Sequence, residues 1–382
     1  MGSTRQRRWR VGLFMGLTDF YEHGIARGVV RYARGRPDWD LYGFGWMFQS
    51  IGSLERWDGD GLVARIESGR DADRLAARRL PLVDVAGAWR RPGFRQVCND
   101  DTATGALAGR HLQALGFRRF AFCGVARVGW SRMRREGFRA VLGGGAIPVF
   151  EESLSWWEKL RHSERLEAWI HALPHPVAVF ACNDTAGLKV AAACRNARLA
   201  VPQEVAILGV DNEDILCELC VPPLSSIMLD CEQIGFRAAE MLARLLERSG
   251  SAPAAPQLIT PREVVERSST HVLPSADPLV EQAVALIRSL AGEPVHVAAL
   301  LKDIPASRRS LEIRFRRALG RSVHDEIVRV RIERARELLR TTTLTVAAVA
   351  ASSGFGNPQR FHEAFRKAAG MTPGAYRKSH QR

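Results

Sequence analysis

The sequence predicts an α/β two-lobed domain of doubly wound parallel sheets, followed by an all-α domain with two helix-turn-helix motifs. Three features predict this order. Short apolar, β-rich runs alternate with helical patterns over residues 1–270, the signature of parallel strands joined by covering helices. Beyond that stretch the pattern is helical except for turns. Within the helical part, residues 307–320 (SRRSLEIRFRRALG) are written again at 357–370 (NPQRFHEAFRKAAG).

In chain order, the candidate strands are 11–17, 61–66, 82–86, 119–124, 177–181, 205–210 and 226–229. The candidate helices between them are 21–34, 71–79, 103–115, 131–142, 164–172, 186–197 and 231–247. So many βα units exceed one typical domain, which implies two lobes. In such sheets ligands bind beyond the carboxyl ends of the strands. Residues 249–256 (SGSAPAAP) read as a surface loop and 258–270 (LITPREVVERSST) as a closing strand. Residues 271–278, with two prolines, read as the linker, so the expected parts are 1–270, 271–278 and 279–382.

The repeat has the spacing of an amphipathic helix. Leu311, Phe315, Ala318 and Leu319 form one apolar stripe; Phe361, Phe365, Ala368 and Ala369 form its copy. A glycine, Gly320 or Gly370, ends each helix. The helix at 323–340 lies between the copies and sets their separation. Charge is concentrated in the same region. The chain carries a net charge of +14, and residues 279–382 hold 19 Lys or Arg against 9 Asp or Glu. The other residues hold 36 against 32. That concentration fits an electrostatic footprint for phosphates.

Other classes find little support. A P-loop, a GxGxxG after the first strand, an HExxH and a GxSxG are all absent from the sequence, so no catalytic residue is nominated. The seven cysteines are odd in number, and Cys217 and Cys220 form a CxxC without a second pair. Buried thiols in a reducing compartment are therefore expected, with no metal and no cofactor. The first ten residues, MGSTRQRRWR, lack an apolar core, and no apolar run reaches 18 residues. The expected location is cytoplasmic, without a membrane partner.

Residues 335–378 resemble the AraC-type helix-turn-helix signature over its full length, ending in the TPGAYR of Thr372 to Arg377. In that pattern 347–352 is the supporting helix, Gly354 and Phe355 the turn, and Asn357 the N-cap of the recognition helix. The resemblance implies double-stranded DNA as partner. Base edges would be met by Arg308, Arg309 and Glu312 from the first copy, and by Gln359, Arg360, His362 and Glu363 from the second. Arg316 and Arg366, with Arg340 and Lys367, would contact phosphate. The first copy departs from the pattern in one place: Pro305 stands where the family has a turn glycine.

Residues 10–270 resemble the sugar-binding core of LacI-type regulators, itself similar to periplasmic binding proteins. The resemblance rests on Asn99 to Gly124, on Val177 to Asn212 with its ND and VD pairs, and on CVPPLSSI from Cys220 to Ile227. Asp211 follows the run VAILGV, while Asn183 and Asp184 follow VAVFAC, so these three sit at strand carboxyl ends where a polyol would bind. Arg134 occupies the place where the family sets a guanidinium against sugar hydroxyls. Asp19, Phe20 and Tyr21 follow the first strand, and Asp60, Asp100 and Trp130 are further candidates for the same cleft.

A LacI-type core followed by an AraC-type domain is the arrangement of the bacterial xylose operon regulators, and this resemblance covers nearly the whole chain. It implies a small sugar effector, D-xylose, and activation of pentose-utilisation genes, with a homodimer as the working form and RNA polymerase as a further partner. The loop GLTDFYEHG departs from that family's pattern, so another pentose or a hexose would fit as well. The rival readings are a sugar-binding α/β protein and a sugar-modifying enzyme, neither with sequence-specific DNA recognition.

Overall fold

The computed structural model describes residues 8–17, 19–44, 57–88, 91, 93–157, 163–247, 255–271, 277–290, 292 and 297–380. It comprises two compact units, 1–270 and 271–382. Of the expected linker, residues 272–276 lie outside the described residues, as does most of the expected loop at 249–256.

Among the described residues the first unit holds twelve strands: β1 (Trp9–Phe14), β2 (Trp39–Phe44), β3 (Gly61–Ala64), β4 (Leu82–Asp84), β5 (Arg95–Asn99), β6 (Phe120–Val125), β7 (Val149–Glu152), β8 (Val177–Ala181), β9 (Val205–Val210), β10 (Ser225–Met228), β11 (Gln257–Ile259) and β12 (Glu263–Val265). They form two six-stranded sheets, ordered β11-β5-β4-β3-β1-β2 and β12-β10-β9-β8-β6-β7. The pairings are parallel except that β12 runs antiparallel to β10. Every residue of β8 and β9 is buried, as an unbroken apolar run requires of a strand covered on both faces.

The strands alternate with α1 (Phe20–Ala33), α2 (Gly69–Ala77), α3 (Asp101–Ala114), α4 (Gly129–Val141), α5 (Leu154–Trp157), α6 (Glu164–His171), α7 (Asp184–Asn196), α8 (Asp214–Leu219) and α9 (Cys231–Glu247). Glycine brings α3 and α4 into backbone contact. A Cβ on Gly105 would lie 1.9 Å from the Arg134 carbonyl oxygen, and one on Gly137 would lie 2.0 Å from that of Thr102. This close approach sets the start of α3 beside the middle of α4. Six cysteines are buried and Cys98 is half-buried, all of them free.

The chain passes between the lobes three times. It crosses from β5 into α3, from β10 into α9, and from β11 into β12. Backbone hydrogen bonds tie the crossings together: Asp100 N–H donates to Ile259 O (2.8 Å), and Arg262 N–H donates to Met228 O (2.9 Å). The expected single closing strand at 258–270 is thus two strands, one in each sheet. Thr260 to Arg262 carries the chain between them, with Pro261 in the break.

The second unit is helical: α10 (Pro278–Ser289), α11 (Val297–Leu300), α12 (Arg308–Leu319), α13 (Val323–Thr341), α14 (Val346–Ser352), α15 (Pro358–Ala369) and α16 (Pro373–His380). It has two cores. Val280, Val284, Leu300, Leu311 and Phe315 pack with Val323, Ile327 and Val330 from the first half of α13. Val349, Phe355, Phe361, Phe365 and Tyr376 pack with Ile332, Ala335 and Leu339 from its second half. One continuous helix therefore belongs to both cores and fixes one motif against the other. No helix among the described residues is long and apolar enough to cross a membrane.

Candidate functional site

A cleft of about 310 Å³ lies at the carboxyl ends of the strands of both sheets. Its walls include Asp19, Phe20, Tyr21, Arg65, Glu67 and Asn99 from one lobe, and Asp101, Trp130, Arg134, Asn183, Asp184 and Asp211 from the other. Phe20 and Trp130 offer aromatic surface, and the remainder is mostly polar.

Arg134 organises the second-lobe wall. Its Nε donates to Asp101 Oδ1 at 2.8 Å, one Nη donates to Cys182 O at 2.6 Å, and the Asp211 carboxylate lies 3.8 Å away. The guanidinium also sits 5.1 Å from the Trp130 ring centroid. Burial opposes its charge, but Asp101 and Asp211 more than offset that, so its pKa rises above the usual arginine value. Arg65 does the same work on the first lobe, with Asp19 at 2.6 Å, Glu67 at 3.0 Å and Glu22 at 3.2 Å. Both guanidinium groups are thus already matched by carboxylates. The cleft offers fixed donors and acceptors suited to hydroxyl groups, and its charge does not favour an anion.

Asp211 follows β9 at φ of +102°, and Asn212 comes next at +52°, both at positive φ that non-glycine residues rarely occupy. Ser226 Oγ accepts from Asn212 N–H at 3.0 Å and donates to Asp184 Oδ1 at 2.5 Å, which holds the bend in place. Asp184 Oδ2 accepts from Glu213 N–H at 2.8 Å. Burial raises the carboxyl pKa values of both Asp184 and Asp211, and for Asp184 the nearby Asp211 charge raises it further.

The sequence candidates divide accordingly. Asp19, Phe20, Tyr21, Trp130, Arg134, Asn183, Asp184 and Asp211 all reach the cleft. Asp19 and Asn183 also cap α1 and α7, each accepting a backbone N–H. Two candidates do not reach it. Asp60 lies at the amino end of β3, where its carboxylate accepts from Arg10 N–H at 2.8 Å, so it faces the opposite rim of the sheet. Asp100 caps α3 by accepting from Ala103 N–H at 2.8 Å; its neighbour Asp101 turns into the cleft instead.

Among the cleft residues that escaped the sequence reading are the polar side chains of Arg65, Glu67, Asn99, Asp101, Thr185 and Glu213. Arg65 carries the same signal that singled out Asp211, a polar residue just after an apolar strand, whereas Asn99 ends β5 (RQVCN), which is too polar to give it. Asn99 is 8% exposed, and its Nδ2 donates to Tyr21 Oη at 3.2 Å. Its Oδ1 is buried without a hydrogen-bond partner among the described residues. Tyr21 Oη in turn donates to Val85 O at 2.9 Å, which leaves Asn99 Oδ1 as an acceptor in the cleft wall.

In the second unit each recognition helix is capped at both ends. Asn357 Oδ1 accepts from Gln359 N–H (2.8 Å) and Arg360 N–H (3.3 Å), with Pro358 in the first turn. Ser307 Oγ accepts from Ser310 N–H (3.2 Å), and Gly320 and Gly370 end their helices at φ of +66° and +70°. Arginines of α13 bind neighbouring carbonyls: Arg334 donates to Ser352 O and Arg336 to Ala368 O, at 2.9 and 2.8 Å. Gly354, at φ of +76°, makes the tight turn between α14 and α15. Pro305 is exposed in the other turn, whose Ile304 is buried in the core.

The large residues of each apolar stripe are buried, with Leu311, Phe315, Phe361 and Phe365 all at 0% exposure, while Ala318, Leu319 and Ala369 are half-buried and Ala368 is exposed. Arg308, Arg309, Arg316, Gln359, Arg360, His362, Glu363 and Arg366 are exposed. Glu312 is half-buried and accepts from Val323 N–H at 3.4 Å, so it leans toward the start of α13. The 19 residues of α13 span about 28 Å at 1.5 Å per residue, comparable with one turn of DNA at about 34 Å.

Comparison with known proteins gives the same two parts. The periplasmic binding protein-like domain family matches residues 110–270, and a helix-turn-helix domain family matches residues 300–379. The chain is 29% identical to the xylose operon regulatory protein of Escherichia coli (strain K12), with 97% of each chain covered. It is 27% identical to the xylose operon regulatory protein of Haemophilus influenzae, covering 97% of this chain and 99% of the relative. It aligns with the solved structure of a xylose-binding transcription activator at a TM-score of 0.67 and 28% identity, covering 99% of this chain and 100% of that one. The fold is therefore a periplasmic-binding-protein-like α/β domain joined to a helix-turn-helix domain.

Proposed function

We propose that this chain, similar over nearly its whole length to xylose operon regulatory proteins, is a sugar-responsive, sequence-specific DNA-binding transcription regulator. One observation carries the reading. A single chain combines a hydroxyl-suited cleft between two hinged lobes with two capped, arginine-bearing recognition helices joined by one rigid helix. In this reading the effector is a neutral pentose, with D-xylose the first to test, because the similar structure is that of a xylose-binding activator. Arg134, Asp211, Asn183 and Asp19 would hold its hydroxyls, and Phe20 and Trp130 would cover its C–H faces. A sugar acid or sugar phosphate is disfavoured, since both cleft arginines are already matched by carboxylates.

Sugar would draw the lobes together about the three crossings, and a ligand shifts that balance only as far as its affinity differs between open and closed forms. The chain would act as a homodimer in the cytoplasm and activate transcription with RNA polymerase; no catalytic step is assigned. The test pairs two measurements on the full-length protein. Thermal shift against a panel of pentoses, hexoses and their phosphates should pick out a neutral sugar. Gel retardation should find a duplex whose affinity changes when that sugar is added. Sugar binding with indifference to every duplex at low salt would favour a plain sugar-binding protein, and conversion of the sugar would favour an enzyme.

A further inference from the structure

Ile313 is an apolar residue on the polar face of α12, and it is 58% exposed. At about 100° per residue it lies about 200° round the helix from buried Leu311, almost opposite the core. Arg309, Arg316 and Arg317 lie four before, three after and four after it, all exposed, and so ring it on the same face. An isolated apolar side chain at the centre of a cationic surface does not suit a protein core, and the arginines leave a polyanion as the surface it would meet.

The fifty-residue offset of the repeat sharpens the point. Arg309 corresponds to Gln359, Arg316 to Arg366 and Arg317 to Lys367, whereas Ile313 corresponds to Glu363. The flanking positions keep hydrogen-bonding or cationic groups, and only the central one changes class. In the major groove, the apolar group a base presents is the thymine 5-methyl, and a carboxylate instead accepts from cytosine N4.

We infer that Ile313 reads a thymine methyl group at the centre of the first recognition surface, so that the two motifs read different bases at equivalent positions. The inference rests on the DNA-binding reading above. It makes each half-site asymmetric: thymine faces the centre of α12, and cytosine faces the centre of α15.

The test uses duplexes that the full-length protein enriches from a randomised library. Each thymine of the enriched sequence is replaced singly by uracil, which removes only the methyl. At one thymine per half-site the replacement should weaken binding about four-fold, the transfer cost of one methyl group. Ile313→Ala should bind the parent duplex about as weakly and be indifferent to that same replacement. Ile313→Glu should shift the preference at that base pair from thymine to cytosine. The inference is overturned if no uracil replacement matters, or if the sensitive thymine stays equally sensitive in Ile313→Ala. Enrichment of no duplex at all would instead overturn the DNA-binding reading, and this inference with it.

Discussion

Arg134 Nε lies 2.8 Å from Asp101 Oδ1, and both side chains are almost fully buried, at 5% and 7% exposure. The pair joins the middle of α4 to the first turn of α3, at the point where the chain leaves one lobe for the other. Removing the arginine would strand Asp101 and leave Asp211 without its cation. Arg134→Ala should therefore lower stability by about 3–5 kcal/mol, the cost of breaking a buried pair, and abolish the sugar-induced rise in melting temperature. Arg134→Lys should keep much of the stability but not the sugar response, because an ammonium lacks the planar fork and the stacking on Trp130. Urea denaturation and thermal shift check both, and a full sugar response in the lysine variant would show that the guanidinium is purely structural.

Asn99 Oδ1 is an acceptor awaiting a donor. Asn99→Ala should weaken sugar binding by about 1–3 kcal/mol, the worth of a buried hydrogen bond, measured by titration calorimetry. A series of deoxy sugars identifies the hydroxyl concerned. One analogue should bind the wild type weakly yet lose nothing further in the variant. If every analogue loses the same increment, Asn99 acts only through Tyr21.

The carboxyl of Asp184 is raised by burial and by the Asp211 charge, so the folded chain holds this proton to higher pH than the unfolded chain does. Its protonated form contributes fully below about pH 4, the ordinary aspartate value. That contribution is lost as pH rises through the raised folded value. Asp184→Asn keeps the shape and cannot ionise. The urea midpoint of the variant should therefore gain on the wild type as pH rises from 4 toward alkaline values. Parallel curves across that range would mean that Asp184 ionises without penalty.

Gln359 and Lys367 should behave differently on DNA. Gln359→Ala should cost about 1–3 kcal/mol and relax the preference at one base pair, as expected of a side chain on a base edge. Lys367→Ala should weaken all duplexes alike and lower the salt dependence of binding by about one counterion. Retardation assays at several salt concentrations separate the two, and uniform weakening by Gln359→Ala would move that residue to the phosphate backbone.

Buried elements were the easiest to read from sequence. β8 and β9 are apolar at every position because both faces are covered, and the recognition helices repeat a stripe that ends in a glycine. The strands that escaped were β2 and β7, at sheet edges where one flank is unpaired, and β5, whose Gln96 and Asn99 serve hydrogen bonds rather than packing; the edge strands β11 and β12 were read as one. Site residues were legible where the polar side chain follows a strand at its carboxyl end, as with Asp19, Asn183 and Asp211. Asp60 failed because it precedes its strand, and the two ends of a strand look alike in sequence. Asp100 and Asp101 are neighbours, and a rotation of about 100° decides which one caps and which one faces the cleft. Arg65 meets Asp19 and Glu22, and Arg134 meets Asp101 and Asp211, only through tertiary approach, to which for Arg134 the glycines Gly105 and Gly137 contribute without any motif of their own.

The three stitched crossings have a mechanical meaning. A panel hung on one pin can swivel and yaw, but on three aligned pins it can only swing. Three crossings tied by backbone hydrogen bonds favour a swing of the two lobes over a swivel, so a ligand in the cleft would act chiefly through the angle at which it holds them. Chemically unlike ligands that wedge the swing equally far should evoke equal output, and a bulkier one that stops it midway should act as a partial agonist.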